Sequence, residues 1–366
     1  MGRLLAFALA QRGANVTLFD EDNKEGKRSC GITAAGMLTP FAELDSIEPS
    51  ITEMGIKSLE QWPLILKQLK RSVYFQQTGS LMLAHSQDRG ELDRLRQLYE
   101  KIWEHAPCHS SEGWDPERRQ KTLDSSFRWN DKKTGPSTLL LLGPDEIKTL
   151  EPGLKQDFRQ GLYFPSEAQL CPRDLFSALQ TTLEEHSVSW HENTQVTRIK
   201  PYEIYCADNK YSYDWVFDCR GLGAKADQPQ LRGVRGELIE LYAPDVHLNR
   251  IIRLMHPRYA LYMAPRPEQR FIIGASSIES EDRSPISVQT TLELLSAAYS
   301  LHSGFAEARI LETRVNCRPA FPDNLPRVDV EEGLTRINGL YRHGYLLAPC
   351  LTEEAILKLS KYGIVP

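Results

Sequence analysis

The sequence is short of every feature that would place the chain in a membrane, staple it covalently or bring it to nucleic acid. No stretch approaches the about 18 consecutive apolar residues of a membrane-spanning helix, and the apolar run at 4–10 is too short, and lacks the cleavage context, for a signal peptide. Position 6 after Met1-Gly2 is Ala6 rather than Ser or Thr, which speaks against myristoylation. The seven cysteines, Cys30, Cys108, Cys171, Cys206, Cys219, Cys317 and Cys350, are odd in number, scattered and without a C-x-x-C pair. Reduced thiols in a cytoplasmic protein are expected from this, with neither a disulfide framework nor a zinc site, so no metal. The net charge of −5 gives no basic footprint for nucleic acid. Repeats and low-complexity segments are also missing. What remains is a chain of 366 residues with 25% charged side chains, long enough to bury a sizeable core as one large or two interwoven domains.

The first twenty residues carry the strongest local pattern. Leu5 with Leu9 and Ala6 with Ala10 recur at i, i+4 in a run of good helix formers that stops at Gly13. Residues 14–20 then read as a short strand ending on Asp20. Helix, glycine turn, strand and terminal carboxylate make the second half of a dinucleotide-binding βαβ unit, in which the acid takes a ribose hydroxyl. Gly2 fits the third glycine of G-x-G-x-x-G, the one that lets helix and strand approach closely. The working protein is accordingly expected to begin upstream of Met1, with an apolar strand and the first two glycines running into Gly2.

After the polar stretch 21–28, small residues run from Ser29 to Gly36, a backbone able to lie against a flat group or turn its N–H groups to a phosphate. Helices are expected at 51–71, 92–103, from Pro144, at 172–186, at 288–301 and at 353–362. Strands are expected at 79–84, 139–142, 188–191, 194–199, 215–219, 237–242, 251–255, 259–264, 271–274 and 309–316, with a hairpin turning at Asp208-Asn209. The stretch 88–134 is polar and reads as a peripheral excursion. The strand at 215–219 runs into Arg220-Gly221, a strand-to-glycine corner of the kind where α/β sheets bind ligands.

These marks, in this order, resemble the FAD-dependent D-amino-acid oxidase family, and within it the glycine-oxidising branch that serves thiazole formation in thiamine synthesis. The resemblance rests on the N-terminal helix, strand and acid, Thr33-Ala34-Ala35-Gly36-Met37-Leu38, the Val196 strand, Cys219-Arg220-Gly221, Gly233-Val234-Arg235-Gly236, Tyr262-Met263-Ala264-Pro265-Arg266, Ile273-Gly274-Ala275-Ser276, Arg318-Pro319-Ala320-Phe321-Pro322-Asp323, and Tyr341-Arg342-His343-Gly344-Tyr345-Leu346-Leu347. It implies an α/β fold in which a Rossmann-like FAD-binding domain (1–75, 150–235 and 305–366) is interleaved with an α+β substrate domain on an antiparallel sheet (76–149 and 236–304).

By the same resemblance FAD is bound non-covalently, since no Cys or His after Arg318 matches the flavin-linked cysteine of sarcosine oxidases. Gly2, Asp20 and Glu21 fall at the adenosine side, Cys30 and Gly31 near the phosphates, and Ala35, Gly36 and Met37 along the flavin. Val196 is placed at the adenine through its backbone, Gly221 at the second glycine corner, and Leu340, Tyr341, Arg342, His343, Gly344, Tyr345 and Leu346 in a loop passing the isoalloxazine. Arg318 is assigned to the substrate carboxylate, with Tyr262 as a second contact and Arg342 lining the pocket. A guanidinium pairs with a carboxylate in a planar fork, so charge and orientation are fixed together.

The implied activity is oxidative deamination of glycine, sarcosine or a small D-amino acid, with oxygen reduced to hydrogen peroxide. Expected partners are the small amine, oxygen and thiazole-forming enzymes, with a homo-oligomer possible in the family and no nucleic acid or membrane. A dehydrogenase passing electrons to a carrier and an inactive truncated remnant are the competing readings. Departures from the family pattern are Ser277, where methionine is more usual, and Asp218-Cys219-Arg220-Gly221, whose arginine could add a phosphate contact.

Overall fold

Apolar residues on one face of the first helix, Gly2–Gln11, go to the interior: Leu4, Leu5, Phe7 and Leu9 are buried. The helix stops as expected at Gly13, whose φ of +87° suits glycine and whose N–H reaches the Ala10 carbonyl at 3.0 Å. The computed structural model describes residues 1–42, 48–104, 139–154, 158–207, 209–255 and 261–364. The polar excursion is thus described only as far as the helix Arg89–Glu104. Asp208 at the hairpin turn and Tyr259 at the start of an expected strand lie outside the described residues.

Strand Thr17–Phe19 pairs in parallel with Ser189–His191, and Val216–Asp218 pairs in parallel with Leu334–Asn338. Helices Pro49–Leu66, Pro172–Glu185 and Gly344–Leu359 join the first helix around one core that includes Leu5, Leu38, Trp62, Leu179, Leu347 and Leu351. Each such fully buried side chain contributes roughly 1.5–3 kcal/mol. This is the α/β half of the expected fold.

The other half is a mixed, largely antiparallel sheet, nine-stranded among the described residues. Its long central strand, Arg232–Tyr242, pairs on one side with Arg309–Ala320 and on the other with Arg270–Gly274. The order then continues through Leu261–Arg266, Ile251–Met255, Ser80–Ala84, Gly161–Phe164 and Leu140–Leu142. Because side chains alternate across a strand, one face carries Ile239, Leu241, Met263 and Ile273 into a core closed by helix Val288–Leu301. The opposite face carries Leu238, Tyr262 and Ala264, and against it lie Ala35 and Met37 from the small-residue run. Asn316 ties the halves together, donating to the Arg28 carbonyl at 3.0 Å and the Thr33 hydroxyl at 3.2 Å.

Three local expectations change. The strand expected at 194–199 is confined to Arg198–Lys200, so Val196 lies in the loop before it. The strand expected to end at 316 runs on through Arg318 and Pro319 to Ala320, because the facing strand keeps pairing as far as Arg232. Finally, the last helix begins at Gly344 rather than 353, which draws Gly344, Tyr345 and Leu346 out of the expected loop.

Candidate active site

Arg318 and Tyr262 each lie over a glycine of the same sheet. Arg318 faces Val234 across the ladder, and its guanidinium lies over Gly236, where an added methyl would collide with it. Tyr262 faces Gly274, and a methyl there would collide with the phenol. Gly274 in turn pairs with Leu238, two residues along from Gly236. Glycine at both places leaves a floor over which a guanidinium and a hydroxyl can converge.

The guanidinium is held from behind. Both terminal nitrogens donate to the Ser276 carbonyl at 3.2 Å, and Nη1 donates to the Arg235 carbonyl at 3.4 Å. Ser276 is fixed by Glu237, accepting its N–H at 3.0 Å and donating its hydroxyl to Oε2 at 3.1 Å. Glu237 is buried, and burial alone would raise its pKa. The Thr290 hydroxyl, the Arg235 guanidinium at 2.6 Å and the Ser287 N–H outweigh that and keep the carboxyl below its ordinary range.

The loop before the last helix closes on the same place. Tyr341 adopts a φ of +48°, donates its N–H to the Pro319 carbonyl at 2.9 Å and meets the Ser277 hydroxyl at 3.2 Å. Ser277, the departure at a position where methionine is more usual, therefore has a polar partner. Arg342 is exposed between Tyr341 and the buried His343, and Leu340 belongs to the α/β core. Gly344 opens the last helix with nothing within 4 Å of where a Cβ would stand, so a flat group can approach its backbone. Tyr345 donates its hydroxyl to the Gly31 carbonyl at 2.9 Å, linking that helix to the expected phosphate loop, and Leu346 packs toward Gly55.

On the nucleotide side, Asp20 ends its strand as expected, with Asp22 N–H at 3.0 Å and Arg3 at 3.4 Å, and burial raises its pKa. Its two oxygens retain acceptor capacity for a ribose hydroxyl. Glu21 is exposed, whereas Asp22 is buried. A methyl at Gly2 would make ordinary contact with Cys219 at 3.5 Å. Cys30 and Gly31 start a four-residue helix, Cys30–Thr33, capped by Ser29. Gly36 takes a φ of +70°, and a Cβ there would strike the Leu170 carbonyl, so only glycine fits. Gly221, φ +58°, binds Asn338 through its carbonyl at 2.9 Å. Arg220 does not present a spare cation for a phosphate: it pairs with Asp218 at 2.7 Å and with Asp227, and donates to the Val196 carbonyl at 3.3 Å.

The open backbone at Gly344, the acid that follows the first strand, and Ala35 and Met37 packed beside Tyr262 fit a flavin dinucleotide. A match to the family described as FAD dependent oxidoreductase extends over residues 1–355. The chain belongs to this family. This FAD-dependent oxidoreductase is 34% identical over 358 residues to a putative thiamine biosynthesis oxidoreductase ThiO of Rhizobium etli, covering 98% of this chain and 93% of that one. It is 26% identical to a bifunctional protein ThiO/ThiG of Nostoc sp., over 95% of this chain and 49% of that protein. Glycine oxidase from Geobacillus kaustophilus shares the fold, with a TM-score of 0.77 at 21% identity over 99% of this chain and 92% of that one. So does iminodiacetate oxidase from Chelativorans sp. BNC1, with 0.76 at 22% over 100% and 93%.

Two buried groups near the site escape a reading by motif. Glu167 accepts the N–H groups of Phe41 and Ala42, each at 2.8 Å, and the Ser80 hydroxyl, and burial pushes its pKa up to about 7. Arg253, paired across the sheet with Tyr262, donates to the Ala42 carbonyl. The only sequence signal for Glu167 is an acid set between two apolar strands. Among the described residues no cluster of His, Cys, Asp and Glu could hold a metal, the six described cysteines are free, and no helix is long and apolar enough to cross a membrane.

Proposed function

We propose that this oxidoreductase oxidises the C–N bond of a small amino acid, with glycine first, then sarcosine and D-alanine, as its substrates. The product is an imine, which hydrolyses to an oxo acid and ammonia (methylamine from sarcosine) or passes to a thiazole-forming enzyme. The observation that carries the reading is that Arg318 lies over Gly236 and Tyr262 over Gly274 in the same sheet, with Tyr262 packed beside Ala35 and Met37. The thiamine-biosynthesis name of the 34% identical relative supports it.

In this reading Arg318 takes the substrate carboxylate as a bidentate pair and Tyr262 adds a hydroxyl donor. Glu237 and Ser276 keep the guanidinium aimed, so the amine is presented in a single orientation. Asp20 would hold the adenosine ribose, Cys30 and Gly31 would lie at the phosphates, and Ala35, Gly36, Met37 and Gly344 would flank the ring. Held by these residues, FAD would supply the two-electron redox chemistry that takes the amine to the imine and oxygen to one equivalent of hydrogen peroxide. Tyr262 and Arg318 are bulky, and with Arg342 of the neighbouring loop at the pocket, as the resemblance implies, they would leave little room beyond a methyl or ethyl substituent.

Purified enzyme with its FAD should release peroxide with glycine, sarcosine and D-alanine and much more slowly with D-phenylalanine. Reduction of an artificial dye without peroxide would move the enzyme to the dehydrogenases. Faster turnover of D-phenylalanine than of glycine would refute the small pocket.

A further inference from the structure

Arg266 ends the strand Leu261–Arg266, on the same face as Tyr262 and four residues further along. Its guanidinium leaves the sheet for the segment that faces the flavin in the reading above. Nη2 donates to the carbonyls of Ala35 and, at 3.2 Å, Leu170, while Nη1 donates to the Gln169 side chain and, at 2.9 Å, to the Pro265 carbonyl. The Tyr74 ring lies 5.7 Å beneath it. Every one of these partners is a neutral oxygen or an aromatic face, and among the described residues Arg266 enters no ion pair. Burial holds its pKa below the ordinary arginine value, and Glu240, which acts on it only through space, does not offset this.

A half-buried cation with no carboxylate in contact is costly, yet this one sits against the turn in which Gly36 takes its φ of +70°. The next carbonyl, that of Gly36, accepts the Leu170 N–H at 2.9 Å, and Gly36 itself has no room for a side chain. The Ala35-Gly36 turn is therefore gripped through two successive carbonyls, one of them by Arg266. The strand that supplies Tyr262 to the substrate also supplies this grip.

We propose that Arg266 is a positioning residue for FAD: it fixes the Ala35-Gly36 turn against the ring and sets a positive charge behind that turn, governing flavin affinity and reduction potential. The proposal rests on the placement of residues 35–37 along the flavin. It assigns Arg266 no contact with the amino acid, so KM for glycine is not its readout.

Arg266→Met and Arg266→Lys, prepared as holoenzyme and stripped to apoprotein, test it by titration with FAD, by the visible flavin spectrum and by the flavin midpoint potential. Arg266→Met should bind FAD at least tenfold more weakly and shift the potential to more negative values. Arg266→Lys should keep the potential near that of the parent yet still bind more weakly, because one ammonium cannot span Ala35, Leu170 and Gln169 as a fork does. A folded Arg266→Met protein with parental affinity, spectrum and potential overturns the proposal. Should that variant fail to accumulate, parental FAD affinity in Arg266→Lys overturns it instead. Asp20→Ala separates the two levels: if it weakens FAD while the Arg266 variants do not, Arg266 alone is wrong. If none of the variants alters FAD binding, the placement of the cofactor falls with it.

Discussion

Arg318 is held by carbonyls and ends above a glycine, an arrangement that aims its charge while leaving space for a second planar group. Its loss should be felt by the substrate and not by the flavin. Charge-assisted hydrogen bonds contribute about 1.5–3 kcal/mol each, so Arg318→Ala should lower kcat/KM for glycine by roughly ten- to a hundredfold or more. Arg318→Lys should recover only part, since the fork is lost. Parental kcat/KM in the alanine variant would remove Arg318 from the site.

Glu167 permits a pH prediction of definite sign. Burial raises this carboxyl from 4.5 to about 7, so the folded protein binds a proton more tightly than the unfolded chain does. Stability must then fall as pH rises from about 4.5 to about 7 and level off above, by on the order of 3 kcal/mol from this group. Glu167→Gln keeps an oxygen for the Phe41 and Ala42 amides and offers an N–H to Ser80, but cannot ionise. Between pH 5 and 8 the urea midpoint of the variant should therefore drop less than that of the parent. Identical slopes would show that Glu167 does not titrate in this window.

At the scale of elements, the sequence was read well where local rules decide the outcome. Helix Val288–Leu301 has its Ser287 cap and an apolar stripe, and helices Pro144–Leu150 and Pro172–Glu185 open on proline. It was read short where a distant partner decides. The strand through Arg318-Pro319 continues only because residues 232–236 lie opposite it, a pairing that no local pattern contains. Likewise Arg220 has its carboxylates at Asp218 and Asp227, which a motif cannot display. The assignment of Arg318 and Tyr262 to one pocket comes only from the family resemblance, and Arg266, although inside a motif of that resemblance, gains its proposed role only from its carbonyl partners.

The last helix shows the same limit in one hydrogen bond. Pro349 lies inside Gly344–Leu359 and cannot donate to the carbonyl four residues back. That carbonyl, of Tyr345, accepts the indole N–H of Trp62 from the neighbouring helix at 3.0 Å. Trp62→Phe should leave it unpaired and cost about 1–3 kcal/mol beyond the lost packing. With Pro349→Ala in place, the new backbone N–H can serve the Tyr345 carbonyl, so Trp62→Phe should cost less there. A double-mutant cycle reads the difference, and strict additivity would mean that the indole does not compensate for the proline.

At the scale of the whole molecule, the α/β core and the sheet-and-helix core are separate apolar clusters that meet along residues 28–38 and Asn316. The residues proposed for FAD are distributed on both sides of that seam, Asp20 and Gly344 on one, the face of Arg266 and Tyr262 on the other. A ligand there stabilises the fold in a concentration-dependent way only if it exchanges with solution, so acid precipitation should first release the flavin into the supernatant. Flavin retained in the pellet would contradict non-covalent binding. Given free exchange, FAD at a hundred times its Kd should add about 2.7 kcal/mol. Unfolding entropy is about 2.1 cal/mol/K per residue, and across the 366 residues of this chain that gain amounts to roughly 3–4 °C in Tm. The two cores should rise together in a single transition, and Arg318→Ala should retain the full shift because the proposal assigns Arg318 to the substrate carboxylate and not to FAD. If FAD moved one of two separate transitions and left the other in place, the cofactor would belong to one half alone and the proposed seam would not be its site.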